Sequence, residues 1–209
     1  MADVLIVDYE MGNLRSVQKA LQAVGADARI TQDADEVRRA DRLVLPGVGA
    51  FGDAMAALGR RGLDAAVRDF LATGRPFLGI CLGLQLLFDV GLEDGEYPGL
   101  GVLPGRCVAL PGDLHGPDGR RLKVPHMGWN GLEVVRRSPL LEGLDDGCQV
   151  YFVHSYVVEP EDPGVVSTRT DYGVAFTSSV WRDNVVATQF HPEKSQRVGL
   201  RMLGNFINL

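Results

Sequence analysis

The stretch Gly79-Ile80-Cys81-Leu82-Gly83-Leu84-Gln85 follows the apolar run Pro76-Phe77-Leu78 and leads into a helix-like run from Leu84 to Val90. That order puts Cys81 on a sharp strand-to-helix turn, with one glycine two residues before it and another two after. Glycine at those places removes the side chains that would clash where strand and helix cross. A thiol so placed is the sulfur counterpart of the nucleophile elbow of serine hydrolases. The turn exposes the sulfur, and the N-terminus of the following helix favours a thiolate. A lone Cys in a crossover also reads as a packing residue. A catalytic reading therefore needs a base elsewhere in the chain.

The first half of the chain alternates strand and helix signals. Val4 to Val7 is a short continuous apolar run, the mark of a strand buried on both faces. Asn13 is placed to cap a helix with Leu14, Val17, Leu21 and Val24 on one side, ended by Gly25. A strand around Ala28 to Ile30 and a brief helix capped by Asp33 follow. Next come a buried strand from Arg42 to Leu45 and the loop Pro46-Gly47-Val48-Gly49-Ala50-Phe51-Gly52. Helical segments around Asp53 to Leu58 and Leu63 to Ala72 lead to the strand Pro76 to Ile80, which feeds the elbow. This alternation predicts an α/β fold: a mostly parallel sheet with helices on both faces. Ligands of such sheets bind beyond the carboxyl ends of the strands, where Cys81 and the Pro46–Gly52 loop both fall.

From Gly99 to Phe190 the pattern changes to short β-rich runs broken by glycine and proline. Gly131 to Val135, Gln149 to Val153, Val174 to Phe176 and Val185 to Phe190 are expected to form antiparallel hairpins laid against the parallel sheet. Gln196 to Leu209 is predicted helical, with Val198, Met202, Leu203 and Phe206 on its apolar side. No repeat or linker interrupts the chain, so residues 1–209 read as one domain.

Composition narrows the function classes. The 209 residues are 45% hydrophobic and 23% charged, normal for a globular protein. Net charge is -6 and basic residues form no tract, which argues against nucleic-acid binding. No secretory signal or membrane-length apolar run is evident. Three cysteines, Cys81, Cys107 and Cys148, fit a reducing cytoplasm better than a disulfide framework. The histidines, His115, His126, His154 and His191, lack metal-ligand spacing, so neither metal nor cofactor is expected.

The base that Cys81 needs is best supplied by His191, in Gln189-Phe190-His191-Pro192-Glu193-Lys194-Ser195. Pro192 biases His191 toward an extended backbone, in which His191 and Glu193 project to one side. A carboxylate there accepts an imidazole N–H and fixes its tautomer. Singly, each residue reads as an ordinary strand-end or loop side chain. Together with a glycine-flanked Cys they read as a triad. Acyl transfer also needs oxyanion donors. The Leu82 N–H at the elbow is one candidate, and an amide of the Gly47-Val48-Gly49 loop, at Val48 or Gly49, is the other.

The Cys motif and the distal His191-Pro192-Glu193 resemble those of the class I, triad-type glutamine amidotransferases. Four further segments resemble the glutaminase subunits of imidazole glycerol phosphate synthase within that class. They are Asp8-Tyr9-Glu10-Met11-Gly12-Asn13-Leu14, the Pro46–Gly52 loop, Pro125-His126-Met127-Gly128-Trp129-Asn130, and Tyr151-Phe152-Val153-His154-Ser155-Tyr156. Glu10 stands where that family often has glycine. The resemblance implies a flavodoxin-like amidotransferase fold. It implies that Cys81 attacks the amide carbon of glutamine and forms a thioester. His191 then acts as acid and base, Glu193 orients it, and Gln85, Gly49, His154 and Ser155 hold the substrate. It also implies a heterodimer with a (β/α)8-barrel cyclase that receives the ammonia, docked in part through Asn13, Trp129 and Lys194. Three other readings stand beside this one. They are a glutaminase serving another synthase, such as pyridoxal phosphate synthase, a thiol peptidase-like or esterase hydrolase, and a non-catalytic binding protein.

Overall fold

Burial along the first strand shows how the parallel half is built. In β1 (Ala2–Val7), Val4 and Ile6 face one side of the sheet and Leu5 and Val7 the other, and each pair joins a separate apolar core. A period of two delivers side chains to both faces, so both must be covered. The computed structural model describes residues 2–209. Helix α1 (Leu14–Ala23) follows β1. Then come β2 (Ala26–Thr31), α2 (Ala34–Arg39), β3 (Leu43–Gly47), α3 (Phe51–Arg60), α4 (Leu63–Leu71), β4 (Phe77–Cys81) and α5 (Leu82–Gln85). One core packs Val37 of α2, Phe51 and Ala54 of α3, and Val67 and Phe70 of α4 against the sheet. The other packs Val17 and Leu21 of α1 with Met202, Leu203 and Phe206 of the last helix. Asp33 caps α2 with its carboxylate, accepting from the Asp35 and Glu36 amides, whereas Asn13 precedes α1 without a side-chain cap.

The remaining elements are β5 (Phe88–Gly91), β6 (Tyr97–Pro98), β7 (Leu103–Ala109), β8 (His126–Gly131), β9 (Glu133–Val134), β10 (Gln149–His154), β11 (Tyr156–Pro160), β12 (Val166–Asp171), β13 (Ala175–Arg182), β14 (Val185–Thr188) and α6 (Gln196–Ile207). The sheet order is β2-β1-β3-β4-β14-β13-β11-β7-β5-β6, with β12 paired to β13 and β9 to β12. Its first five strands are parallel. This is the flavodoxin-like order, with β14 in the fifth position, and it leaves the strand carboxyl ends open as a site.

Two stretches of the second half and of the elbow depart from the sequence pattern. The run Leu84 to Val90 is not one helix: α5 ends at Gln85, and Phe88–Gly91 is a strand paired with β7. Leu84, Leu86, Leu87 and Phe88 are all fully buried, so the run has no polar face around which a longer surface helix could form. Most of the second-half strands also do not lie against the parallel sheet. They extend it edge to edge, and among the described residues only β8 and β10 form a separate two-stranded sheet. Pairing of an antiparallel edge depends on distant partners, which local alternation does not name.

Candidate active site

The elbow is built by backbone geometry. Cys81 ends β4 at φ 56°, ψ -108°, a strained conformation for a residue with a Cβ. The flanking glycines make the close crossing possible. A Cβ on Gly83 would sit 1.8 Å from the Leu45 carbonyl oxygen, and one on Gly79 would sit 2.8 Å from the Gly83 carbonyl. Cys81 is buried to 6% exposure. Its Sγ lies 4.0 Å from the Val153 carbonyl, and the Gln189 amide donates to it at 3.8 Å. With only four residues, α5 adds little of the helix-terminal field that the sequence reading invoked.

His191 and Glu193 come together as expected, though by a different local route. His191 is extended, but Pro192–Lys194 forms a 3-10 turn, and that turn brings Glu193 Oε1 to 2.8 Å from His191 Nδ1. Both side chains are buried. Ser195 braces the segment: its hydroxyl donates to the His191 carbonyl at 2.7 Å and accepts the Tyr151 amide at 3.0 Å. The other imidazole nitrogen, Nε2, is the one left for Cys81 and has no closed hydrogen bond. Burial alone pulls the His191 pKa down. The charge of Cys81 and the hydrogen bond and charge of Glu193 outweigh it and push the value up to about 10. Sulfur and carboxylate on either side thus favour an imidazolium.

Cys81 shares one cleft of about 400 Å³ with Val48, Gly49, Leu82, Gln85, His154 and Ser155. Gly47 pairs in register with Cys81, which carries the following Val48-Gly49 peptide to the elbow. Gly49 has φ 102°, and a Cβ there would meet Met11 at 2.7 Å. Gln85 is buried, and its amide nitrogen donates to the Tyr156 carbonyl and to Gln189 Oε1, each at 3.2 Å. That leaves its own carbonyl oxygen for a ligand. His154 has both ring nitrogens taken within the protein, so only its backbone is free to meet a ligand.

Asn13, Trp129 and Lys194 lie outside the cleft and are exposed. Trp129 faces Tyr151 across the β8–β10 pair, ring centroids 6.0 Å apart, and the Lys194 ammonium stands 5.9 Å from the same Tyr151 ring. Glu10 takes φ 72°, the conformation glycine adopts freely, and its carboxylate pairs with Arg61. Cys107 is buried, which raises its pKa, and Cys148 is half-buried with a pKa raised by burial. Among the described residues, no group of three or more His, Cys, Asp or Glu is placed to hold a metal ion. No helix among them is long and apolar enough to cross a membrane.

Sequence reasoning missed Gln189 and Glu93. Gln189 bridges Gln85 and Cys81, and its one signal is an uncharged amide inside the buried run Val185 to Phe190. Glu93 lines the cleft and accepts the Phe51 amide at 2.7 Å, fixing the start of α3. Nothing local in the sequence marks it.

The family model for class-I glutamine amidotransferases matches residues 5–209. A relative from Syntrophotalea carbinolica, imidazole glycerol phosphate synthase subunit HisH, is 57% identical over 97% of this chain and 98% of its own length. The HisH subunit of Rhodopirellula baltica is 54% identical over 97% and 96%. Among solved structures, PurLQS from Thermotoga maritima superposes with a TM-score of 0.76 at 19% identity, over 99% of this chain and 97% of that one, a likeness of fold. The chain belongs to the class-I glutamine amidotransferase family, and within it to the glutaminase subunits of imidazole glycerol phosphate synthase, called HisH.

Proposed function

We propose that Cys81 is the nucleophile of a glutaminase reaction, with His191 as acid and base and Glu193 as its orienter. The observation that supports this best is the buried Glu193–His191 pair, whose free Nε2 belongs to an imidazole held charged in part by Cys81. Cys81 Sγ adds to the side-chain carbonyl carbon of glutamine. The tetrahedral oxyanion is met by the Leu82 amide and an amide of Val48 or Gly49, each donor worth roughly 3 kcal/mol of barrier. His191 gives its proton to the departing ammonia, and the C–N bond breaks to leave a thioester. The neutral imidazole then takes a proton from water, which attacks the thioester, and glutamate leaves as the Cys81 sulfur is released. Gln85 and the backbone at His154 and Ser155 hold the substrate.

Ammonia set free in neutral water is protonated and loses its nucleophilic lone pair. A sealed interface delivers it as a base. We therefore place a (β/α)8-barrel cyclase on the face carrying Asn13, Trp129 and Lys194. It would use the ammonia to form imidazole glycerol phosphate and an aminoimidazole carboxamide ribotide. The names of the relatives favour this acceptor over pyridoxal phosphate synthase.

The test is glutamine hydrolysis with and without the cyclase and its nucleotide ligand, in wild type and in Cys81→Ser. Hydrolysis is expected to rise with the cyclase and to fall at least about a thousandfold in the variant. Hydrolysis insensitive to Cys81 would overturn the mechanism. Dependence on Cys81 without response to the cyclase would overturn the partner.

A further inference from the structure

Beside the cleft lies a buried histidine pair that the triad does not use. His126 and His154 face each other in the β8–β10 register, with Nδ1 of His126 2.9 Å from Nε2 of His154. They are 2% and 5% exposed. His126 is stacked between Phe152, at 4.7 Å, and Tyr172, at 3.9 Å. A hydrogen bond between two imidazoles needs one donor and one acceptor nitrogen, and both ends of this pair fix which is which.

At one end, His154 Nδ1 is 2.9 Å from the Tyr156 carbonyl, which only accepts, so Nδ1 carries the hydrogen. At the other end, the Asn130 amide nitrogen donates to the Asp171 carbonyl at 2.8 Å, and its oxygen accepts the Gly131 amide at 2.8 Å. The same Asn130 nitrogen lies 3.4 Å from His126 Nε2, which is therefore the acceptor. His126 Nδ1 then bears the hydrogen, and His154 Nε2 receives it. The two ends, deduced separately, agree on the middle bond. A proton added to His154 Nε2 would oppose the His126 N–H, and one added to His126 Nε2 would oppose the Asn130 N–H. The depressed pKa values, His126 to about 4 and His154 to about 3 and both through burial first, are consistent with this arrangement.

The chain of donors ends at the Tyr156 carbonyl, which also accepts Gln85. Between His154 and Tyr156 lies Ser155, and all three line the cleft. We infer that His126 and His154 are positioning residues: held neutral as Nδ1–H tautomers, they form a one-way relay from Asn130 that fixes the Val153–Tyr156 wall against Cys81 for glutamine binding. This rests on the glutaminase reading above. His126 touches no reacting atom, so its loss acts on substrate affinity rather than on the chemical step.

The test has two arms. Nitrogen NMR of the wild-type chain with labelled histidine reads the tautomers without any activity assay. Both imidazoles are expected neutral, with the hydrogen on Nδ1, the less favoured tautomer of a free imidazole. Either ring charged at neutral pH, or carrying its hydrogen on Nε2, would overturn the relay. The second arm is glutamine kinetics in the cyclase complex. His126→Leu, which has no donor, is expected to raise KM about three- to tenfold with kcat within about twofold, the loss of the buried hydrogen bond to His154. His126→Asn keeps an N–H near the Nδ1 position and is expected to recover most of that loss. Unchanged KM in His126→Leu, or equal loss in both variants, would overturn the positioning role. Should wild type hydrolyse no glutamine at all, the glutaminase reading fails while the tautomers are still read.

Discussion

At the scale of single residues the elbow shows how one atom decides. Gly83 and Gly59 are both helical glycines, yet adding the same methyl group has opposite expected effects. At Gly83 the new carbon would overlap the Leu45 carbonyl oxygen, which belongs to a buried strand and cannot turn away. Gly83→Ala is expected to destabilise the chain by about 3 kcal/mol or more. At Gly59, inside α3, nothing lies within 4 Å of the added carbon. Gly59→Ala is expected to stabilise by about 0.5–1 kcal/mol, because alanine loses less backbone freedom on folding. Denaturant titration of both variants decides this, and equal effects of the same sign would refute the close-packing account of the elbow. The elbow was legible because glycine spacing is a local signal. Gln189 and Glu93 were not, because what singles them out is which distant atoms they meet: Cys81 and Gln85 for one, the Phe51 amide for the other.

At the scale of elements, the β8–β10 pair separates two kinds of work. Its inner side holds Phe152 and the histidine pair, all buried. Its outer side carries Met127 at 61% exposure and Trp129 at 46%. A side chain that exposed contributes little to folding, and aromatic residues at interface centres carry much of a partner's binding. Trp129→Ala is expected to change unfolding free energy by no more than about 1 kcal/mol while weakening cyclase binding at least about tenfold. Calorimetric titration against the cyclase, beside a melting curve of the free variant, reads both. Loss of stability with intact binding would make Trp129 a folding residue. The sequence placed strands here but set them against the sheet. Alternation identifies a strand, whereas its neighbour is chosen by contacts far along the chain, as when β14 takes the place beside β4. The run after Cys81 escapes local signals for a related reason: leucines buried on every side have no period to report.

At the scale of the whole molecule, three buried histidines pull stability in opposite directions with pH. His126 and His154 have folded pKa values of about 4 and about 3, below the ordinary 6.5. As pH falls below 6.5 the unfolded chain takes up protons that the native fold refuses. Their contribution is therefore complete above that value and is lost toward pH 4 and then 3. The groups acting on them are each other, the Asn130 amide on His126, the Tyr156 carbonyl and His191 on His154, and the rings of Phe152, Tyr172 and Phe176. His191 has the reverse sign. Its folded pKa is raised to about 10, so its contribution is complete below 6.5 and is lost as pH rises through 10. Histidine titration alone thus gives a dome of stability with its top near the ordinary histidine pKa. Thermal midpoints measured from pH 4 to pH 10 are expected to fall on both sides. His126→Asn should flatten the acid limb only, because it removes one group that must stay neutral. His191→Gln should flatten the alkaline limb only, because it removes the proton held between Cys81 and Glu193. Carboxylates that titrate below pH 4 are common to all three proteins and cancel in the comparison. An acid limb unchanged by His126→Asn would show that this buried imidazole accepts a proton freely. An alkaline limb no shallower in His191→Gln than in wild type would remove the electrostatic coupling of sulfur, imidazole and carboxylate on which the triad rests; the buried Cys107 thiol, held above its ordinary pKa, leaves some alkaline slope in every variant and cancels in the comparison.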